Sequence, residues 1–446
     1  MRNHYKNKFH LEPPQGLLND PNGLAYFQGN YYVFHQWNRF ACDHTYKEWG
    51  LFTSPDLLRW NHQGSALLPD SKQDSHGVYS GSAVTSKQGL KVFYTGNVKK
   101  SQLRKSYQKM AVSIDGRTFI KKPGFETPVG LTEHHRDPKV FYYQNKWYMV
   151  VGSQTKDLKG AVALYTSVDL DNWNYQGIFF QAPELDQMCE CPDVLAFKDQ
   201  DVLLVCPQKR NLTDDQDISS YSAYYLGQIV EQKFIQSSPL IPLDKGFDFY
   251  APQTFRDPKG RYLMWAWMSR MTTAEEQACP TQSFGYLHCL TMPRELKLKN
   301  GRLYQQPVQE ILATRKTLKK SSEKAVTFLQ KKAALLFEVT FNQPVTTLTF
   351  EIAAGEVVLS YADNLLKIRR KSWVDEKSAE KSLPLATLEK LQVFIDQSAL
   401  EIFINDGQEV MSLRYFPKDE LKKHKFTCNT KHLAILSELK VGEENG

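Results

Sequence analysis

The chain has 446 residues, so at about 150 residues per domain we expect three domains or fewer. Hydrophobic residues make up 41% of it and charged residues 24%, a composition that excludes disordered, collagen-like and membrane-embedded chains. The net charge of +7 is spread along the whole sequence, which argues against a nucleic-acid-binding surface and favours anionic ligands in clefts.

Short segments with strong β-propensity recur five times before residue 270. Their central residues follow one another at intervals of 60, 56, 55 and 60 positions, and they are Tyr32, Val92, Tyr148, Leu203 and Leu263. A unit of this length, with several short strands and turn signals, matches one four-stranded blade of a β-propeller. The repeats therefore predict an all-β, five-bladed propeller over residues 1–304.

A second motif lies about a dozen residues before each of these segments and opens the first strand of each unit. Its copies are NDPNG from Asn19, YSGSAV from Tyr79, RDPKV from Arg136, ECPDV from Glu190 and YAPQTF from Tyr250. The innermost strand of each blade lines the central channel of a propeller. Polar side chains at the beginning of these strands are therefore predicted to converge at one mouth of the channel.

The pattern changes after the fifth repeat. Residues 305–320 are compatible with a helix, with Pro307 as a first-turn proline, and they predict a linker helix over 305–323. Alternating strands follow, and Asn405-Asp406-Gly407 between two of them is typical of a hairpin turn. We expect residues 324–446 to form an antiparallel β-sandwich.

Acidic residues occupy the second motif in three of the repeats, as Asp20, Asp137 and Glu190. Carboxylates that face one cavity raise one another's pKa, an arrangement that suits chemistry needing one protonated and one ionised group. Glycoside hydrolysis uses this pairing directly. Each motif alone is more typical of an ordinary turn, but their shared position in the repeats favours a site.

A metal site at Cys189 and Cys191 is an alternative interpretation of the ECPD region. One C-x-C pair without further ligands is a weak signal, so neither a metal nor another cofactor is predicted.

The stretch HLEPPQGLLNDPNGLAYFQGNYYVFHQWN, followed by YSGSAV, RDP, ECPD and LQVFIDQSALEIFINDG, resembles glycoside hydrolase family 32 over about residues 8–416. This family of β-fructofuranosidases includes invertases, sucrose-6-phosphate hydrolases and fructan hydrolases. The resemblance implies a five-bladed propeller with an appended β-sandwich. It also implies retaining hydrolysis of the terminal β-fructosyl bond of sucrose, sucrose 6-phosphate or short fructo-oligosaccharides.

The resemblance further assigns roles to individual residues. Asp20 matches the nucleophile, Glu190 the general acid/base, and Asp137 the residue that holds fructose hydroxyls and stabilises the transition state. In a retaining enzyme the nucleophile and acid/base carboxyls lie about 5–5.5 Å apart. The matching sugar-pocket positions are Asn19, Gln36, Trp49, Tyr79, Ser80, Arg136 and Trp267, and His44 lies near an aglycone-side position.

Departures from the family pattern concern the aglycone side. Leu17-Leu18 replaces a frequent Trp-Met, and Asn38-Arg39 replaces a frequent Asn-Pro. The following loop, FACDHTYKEWG, is more similar to intracellular sucrose-6-phosphate hydrolases than to secreted invertases. Arg39, His44 and Lys47 either face a substrate phosphate or are solvated loop residues.

Two rival functions stay open at this stage. A related five-bladed glycosidase acting on arabinosides or xylosides would share the propeller and the three carboxylates, and its inverting form would place the carboxyls about 6.5–9.5 Å apart. A non-catalytic carbohydrate-binding propeller would bind sugar without turnover.

The sequence also bears on location and partners. The first ten residues are basic and polar, and no stretch approaches the roughly 18 apolar residues of a membrane span, so a cytoplasmic location without membrane association is predicted. Seven cysteines at irregular spacing fit reduced thiols. The predicted partners are the sugars named above, with no nucleic acid, and a homodimer is left open.

Overall fold

The computed structural model describes residues 3–100, 103–210, 220–331 and 333–440, which are almost entirely β-structure. Five sheets of four or five strands lie between residues 16 and 307, and two six-stranded sheets follow. The protein is thus a five-bladed β-propeller followed by a β-sandwich, and the predicted fold class is confirmed.

The strands of the first three blades follow one another along the chain. The first blade contains β1 (Gly16–Phe27), β2 (Asn30–Asn38), β3 (Glu48–Ser54) and β4 (Asn61–Leu67). The second contains β5 (Val78–Ser86), β6 (Gly89–Lys100), β7 (Leu103–Ser113), β8 (Ile120–Lys121) and β9 (Phe125–Glu126). The third contains β10 (Leu131–Tyr143), β11 (Lys146–Thr155), β12 (Gly160–Ser167) and β13 (Asn174–Phe180).

The last two blades include short helical insertions. After a 3-10 turn (Pro183–Leu185), the fourth blade contains β14 (Met188–Ala196), β15 (Asp201–Gln208), β16 (Ala223–Val230), β17 (Lys233–Gln236) and β18 (Ile241–Pro242). The region of the fifth blade contains β19 (Tyr250–Arg256), β20 (Tyr262–Trp267), α1 (Thr273–Gln277), a second 3-10 turn (Pro280–Phe284), β21 (Tyr286–Leu287), β22 (Arg294–Lys299) and β23 (Arg302–Pro307).

The first strands of the blades, β1, β5, β10, β14 and β19, form the inner ring, in which each contacts the next and β19 contacts β1. Strand β21 then pairs in parallel with the start of β1, where Gly16 lies opposite Tyr286 and Leu17 opposite Leu287. The first blade is therefore completed by residues that come almost last in the propeller sequence.

Each inner strand carries a β-bulge at the second repeat motif. Pairing with the neighbouring strand is interrupted between Leu18 and Pro21, Val78 and Gly81, Arg136 and Lys139, Glu190 and Asp193, and Tyr250 and Gln253. A bulge re-aims side chains and tolerates proline, which has no N–H for the ladder. The Asp-Pro motifs, which could be turns by sequence alone, are therefore bulges that direct side chains into the channel mouth.

The strands of the sandwich form two sheets of six. One sheet has the order β24 (Arg315–Ser321), β35 (His432–Leu439), β26 (Ala334–Phe341), β31 (Lys390–Ile395), β32 (Ala399–Ile404) and β33 (Glu409–Arg414). The other has the order β25 (Ala325–Gln330), β34 (Lys422–Cys428), β27 (Thr347–Ile352), β28 (Val357–Ala362), β29 (Leu365–Lys371) and β30 (Ser378–Pro384).

The core of the sandwich contains a cluster of aromatic rings that includes Phe328, Phe337 and Phe350. The predicted hairpin at Asn405-Asp406-Gly407 joins β32 to β33 and is confirmed, with all three residues at positive φ. Gly407 also touches the propeller, since a Cβ there would lie 1.7 Å from the carbonyl oxygen of Gln305.

The predicted linker helix over 305–323 is wrong for most of its length. Strand β23 extends to Pro307, the helix α2 covers only Gln309–Ala313, and Arg315–Ser321 forms β24. The lysine-rich segment is an edge strand paired on one side with β35, a position where charged residues discourage further pairing. Within the described ranges, no helix is long and apolar enough to cross a membrane.

A buried ionic cluster joins the N-terminal segment to the sandwich. His10 lies between Asp396, at 2.9 Å, and Glu401, at 3.0 Å, and Arg294 of the propeller also pairs with Glu401. Burial alone would lower the pKa of His10, but hydrogen bonds to the two carboxylates outweigh it and raise that pKa.

The raised pKa of His10 predicts how stability depends on pH. Because the folded state binds the proton more tightly, the stabilisation is present below about pH 6.5 and is lost as the pH rises through the raised value. We expect the free energy of unfolding of the wild type to exceed that of His10→Gln most at pH 6, and by progressively less as the pH rises above about 6.5. Urea unfolding of both proteins measures this, and parallel pH dependences would contradict it.

Candidate active site

The five bulges surround a cavity of about 400 Å³ at one mouth of the channel. Its lining residues are Asn19, Asp20, Gln36, His44, Lys47, Tyr79, Ser80, Arg136, Asp137, Glu190, Cys191, Gln208, Ser220, Tyr250, Trp267 and Arg270. All three predicted carboxylates are among them. The structure also brings together all but one of the predicted sugar-pocket residues.

Asp20 lies on the bulge of β1 and is oriented by two neighbours. Ser80 from β5 donates a hydrogen bond of 2.6 Å to Oδ2, and the Asn19 side chain donates one of 3.2 Å to Oδ1. Burial raises the pKa of Asp20, which these hydrogen bonds partly counteract, while the charge of Glu190 raises it further. The carboxylate is therefore held in one orientation by two neutral donors.

Glu190 lies on the bulge of β14 and is held by three donors. Arg136 donates to Oε1 through Nη2 at 2.7 Å and through Nε at 3.1 Å. Gln208 and Tyr250 each donate to Oε2 at 2.6 Å. Burial alone would raise the pKa of Glu190, but Arg136 and the hydrogen bond from Tyr250 outweigh it, and the pKa is lowered.

Asp137 lies on the bulge of β10 at a φ of 66° and is almost fully buried. The backbone N–H of Cys191 donates to Oδ2 at 3.1 Å, and Arg136 Nε lies 4.0 Å from the same oxygen. Burial raises the pKa of Asp137 to about 7, against the attraction of Arg136. Burial therefore favours the protonated form of Asp137, and Arg136 opposes it.

Trp49 is the predicted pocket residue that does not line the cavity. Its side chain is fully buried beside Phe34 and Tyr94, and its indole N–H donates to the backbone carbonyl of Tyr79 at 3.1 Å. Gln36 lines the cavity and donates to the carbonyl of Val78 at 2.7 Å. These two side chains fix the backbone at the bulge of β5.

Lys47 and His44 form a wall on the side of the cavity next to Trp267. Lys47 Nζ donates to the Asn19 side-chain oxygen at 2.6 Å and lies 2.9 Å from Nδ1 of His44. The ring of His44 meets that of Trp267 edge-on at 6.1 Å. Burial lowers the pKa of Lys47 to about 8, so most of it stays protonated at neutral pH.

This wall continues into α1. Nε2 of His44 is 3.3 Å from Oε1 of Glu276, which also accepts a hydrogen bond of 2.9 Å from the buried His288. Trp267 packs edge-on against His288 as well, with ring centres 5.1 Å apart. We name this set, Lys47, His44, Glu276, His288 and Trp267, the lysine wall.

Arg39, the third candidate for phosphate contact, does not line the cavity. Its guanidinium donates to Ser65 Oγ at 2.7 Å and lies 3.7 Å from the buried carboxylate of Glu48. Arg39 therefore has a structural role in the first blade.

Several cavity residues escaped the site assignment from sequence. Tyr250 opens the fifth copy of the second motif, and its place in the register could have identified it. Gln208, Ser220 and Arg270 stand outside every motif, so no sequence signal marks them.

The cysteines beside Glu190 do not form a metal site. Cys189 belongs to the core between the third and fourth blades, whereas Cys191 turns towards Asp137 with its sulfur 3.6 Å from Oδ2. No group of three His, Cys, Asp or Glu residues in the described ranges could hold a metal ion.

Comparisons with known proteins cover nearly the whole chain. The family model for the glycosyl hydrolases family 32 N-terminal domain matches residues 10–307, and that for the family 32 C terminal matches residues 301–443. A sucrose-6-phosphate hydrolase of Bacillus subtilis is 37% identical over 431 residues, covering 93% of this chain and 89% of that protein. A sucrose-6-phosphate hydrolase of Klebsiella pneumoniae is 38% identical over 424 residues, covering 93% of this chain and 89% of that protein.

Solved structures give the same answer for the fold. The sucrose-6-phosphate hydrolase from Lactobacillus gasseri is 30% identical, with a TM-score of 0.87 over 98% of this chain and 94% of that chain. A Bombyx mori β-fructofuranosidase is 24% identical and shares the fold with a TM-score of 0.84, over 99% of this chain and 95% of that one.

Proposed function

This chain belongs to glycosyl hydrolase family 32, and we propose that it hydrolyses the β-fructosyl bond of sucrose 6-phosphate in preference to that of sucrose. It is a glycoside hydrolase that acts on fructosides. The preference for the phosphorylated sugar rests on one observation, the ammonium of Lys47 beside the carboxylates, and is supported by relatives that are sucrose-6-phosphate hydrolases.

In the first step of the proposed reaction, a carboxylate oxygen of Asp20 bonds to the anomeric carbon of fructose. The bond from that carbon to the glucosyl oxygen breaks, and Glu190 gives its proton to that oxygen, which leaves as a hydroxyl. Ser80 and Asn19 aim the Asp20 carboxylate at the cavity for this attack.

In the second step, Glu190 removes a proton from water, the water oxygen bonds to the anomeric carbon, and Asp20 is released. Two inversions give overall retention. Asp137 is proposed to hold fructose hydroxyls and stabilise the positive charge that develops on the ring. Because Asp137 is almost fully buried, solvent screens that charge interaction only weakly.

Glu190 must be protonated when the substrate is bound, although its ion pair with Arg136 favours the ionised form. Sugar hydroxyls that bond to Arg136 and Asp137 would weaken the hold of Arg136 on Glu190. We therefore propose that substrate binding favours the protonated form of Glu190 that the first step needs.

The lysine wall supplies the proposed contacts to a phosphate. Lys47 offers up to three N–H donors, and a phosphate oxygen that replaces one of its neutral partners gains a charge-assisted hydrogen bond. His44 is half-exposed beside it, and its Nδ1 accepts a hydrogen bond from the ammonium and so helps to orient it. The phosphate would then lie on the glucosyl side of the carboxylates.

Replacing Lys47 tests this assignment. Because a hydrogen bond to a charged group contributes about 1.5–3 kcal/mol, we expect Lys47→Met to raise KM for sucrose 6-phosphate roughly 10- to 100-fold and KM for sucrose much less. The measurement is kcat and KM on both sugars, with Lys87→Met as a control that removes the same charge from the exposed turn between β5 and β6.

Equal effects on both sugars, or a wild type without preference for the phosphorylated one, would refute the phosphate assignment. An arabinoside and a xyloside belong in the same assay, because turnover of a pentoside but not of a fructoside would favour the pentosidase alternative. The cytoplasmic location and the homodimer stay predictions, which cell fractionation and light scattering would test.

A further inference from the structure

Helix α1 belongs to the propeller sequence but is held by the sandwich. A capping box stabilises its first turn, in which Thr272 and Glu275 exchange hydrogen bonds. The Glu275 carboxylate accepts a hydrogen bond of 2.9 Å from Arg370 of β29, and its backbone carbonyl accepts one of 2.9 Å from the indole N–H of Trp373. A helix of five residues gains its position mainly from such outside contacts.

Arg370 holds a second propeller segment at the same time. Its Nη1 donates to Asp248, which lies two residues before Tyr250, while its Nη2 donates to Glu275. The guanidinium is stacked between Phe247, at 4.5 Å, and Trp373, at 4.8 Å. It is 5% exposed, so neither ion pair is screened strongly by solvent.

Both segments lead directly into the active site. Glu276 follows Glu275 directly, and its carboxylate contacts His44, which in turn orients Lys47. Tyr250, next to the Asp248 segment, donates to Glu190. One buried arginine of the sandwich thus contacts segments that support two parts of the cavity, the lysine wall and the acid/base.

We propose that the β-sandwich helps to build the active site, with Arg370 and Trp373 as positioning residues for the lysine wall and for Tyr250. The indole N–H of Trp373 acts on α1, and through it on the contact of His44 and Lys47 with the substrate. Arg370 acts on α1 and also on the hydrogen bond from Tyr250 to Glu190. The proposal rests on the function proposed above, since it assumes that the lysine wall contacts the substrate.

Two variants separate these contributions. Trp373→Phe keeps an aromatic ring beside Arg370 but loses the N–H, so we expect KM to rise about three- to tenfold with kcat nearly unchanged. Arg370→Met loses both ion pairs, so we expect a similar rise in KM together with a fall in kcat. Arg369→Met, on the exposed face of the same strand, is the matched control.

A double-mutant cycle shows whether the effect passes through Lys47. In the Lys47→Met background, Trp373→Phe should have no further effect on KM, because the contact that it positions is already lost. Full additivity, or a lower melting temperature with unchanged KM and kcat, would overturn the proposal. If Arg370→Met does not fold, Glu275→Gln weakens the same ion pair.

The cycle uses whichever of sucrose and sucrose 6-phosphate the wild type hydrolyses better. If the wild type does not prefer sucrose 6-phosphate, the proposed specificity is wrong, but the coupling between Trp373 and Lys47 can still be measured. Coupling between Trp373 and Lys47 on plain sucrose would support a positioning role without a phosphate site.

Discussion

Asp20→Asn is expected to abolish turnover, with a loss of at least about 10⁴-fold in kcat. Asparagine has the same size and still accepts the hydrogen bond from Ser80, so the cavity should keep its shape. The amide, however, has no charge with which to attack the anomeric carbon. The measurement is fructose release from sucrose 6-phosphate, with circular dichroism and thermal unfolding to confirm that the variant is folded.

Asp199→Asn is the matched control, because it removes a carboxylate from the exposed turn between β14 and β15. It should keep wild-type kcat. An Asp20→Asn protein with more than a few per cent of wild-type activity would show that Asp20 is not the nucleophile. With methanol as the acceptor in place of water, the product also shows the stereochemical outcome, since retention gives the methyl β-fructoside.

Glu190→Gln is expected to lower kcat by about 10²–10⁴-fold for a sugar leaving group, the usual contribution of a general acid or base. An aryl fructoside with a good leaving group does not need protonation, so its first step should be affected far less. The covalent intermediate then accumulates, because the second step has lost its base. Mass spectrometry of the peptide that contains Asp20 should detect one added fructosyl group.

Azide provides the control for Glu190→Gln. It needs no general base, so it should react with the trapped intermediate and restore turnover of the aryl fructoside. Equal losses on both classes of leaving group, or no response to azide, would assign the proton transfer to another residue. Glu184→Gln, an exposed residue shortly before β14, should behave as the wild type.

Much of the fold follows from regularity in the sequence. The β-prone segments marked by Tyr32 and Leu263 lie in the second strands of their blades, as do the three between them. The shared register of Asp20, Asp137 and Glu190 indicated one cavity, because equivalent positions of a closed ring face the same mouth. The helix prediction for the linker is wrong because pairing with β35 overrode the local helix propensity of residues 315–321.

The parts of the site that the sequence did not reveal depend on contacts between distant segments. Glu276 is 232 residues from His44, and Arg370 is 95 residues from Glu275, and no motif connects either pair. The prediction that Trp49 lines the pocket is wrong for a different reason. It matches a pocket position of the family, but its buried indole supports the backbone of Tyr79 and does not reach the cavity.

The buried cluster around His10 determines when the chain can finish folding. The partners of His10 lie 386 and 391 residues further along, so the ribosome makes them long after the N-terminal segment. At about 5–20 residues per second, roughly 20–80 s pass before the N-terminal segment can dock. The ring of Phe9 packs edge-on against that of Phe394, 6.3 Å away, so this contact also waits for the sandwich. The N-terminal segment therefore reaches its final position only after the sandwich strands that hold it have been made.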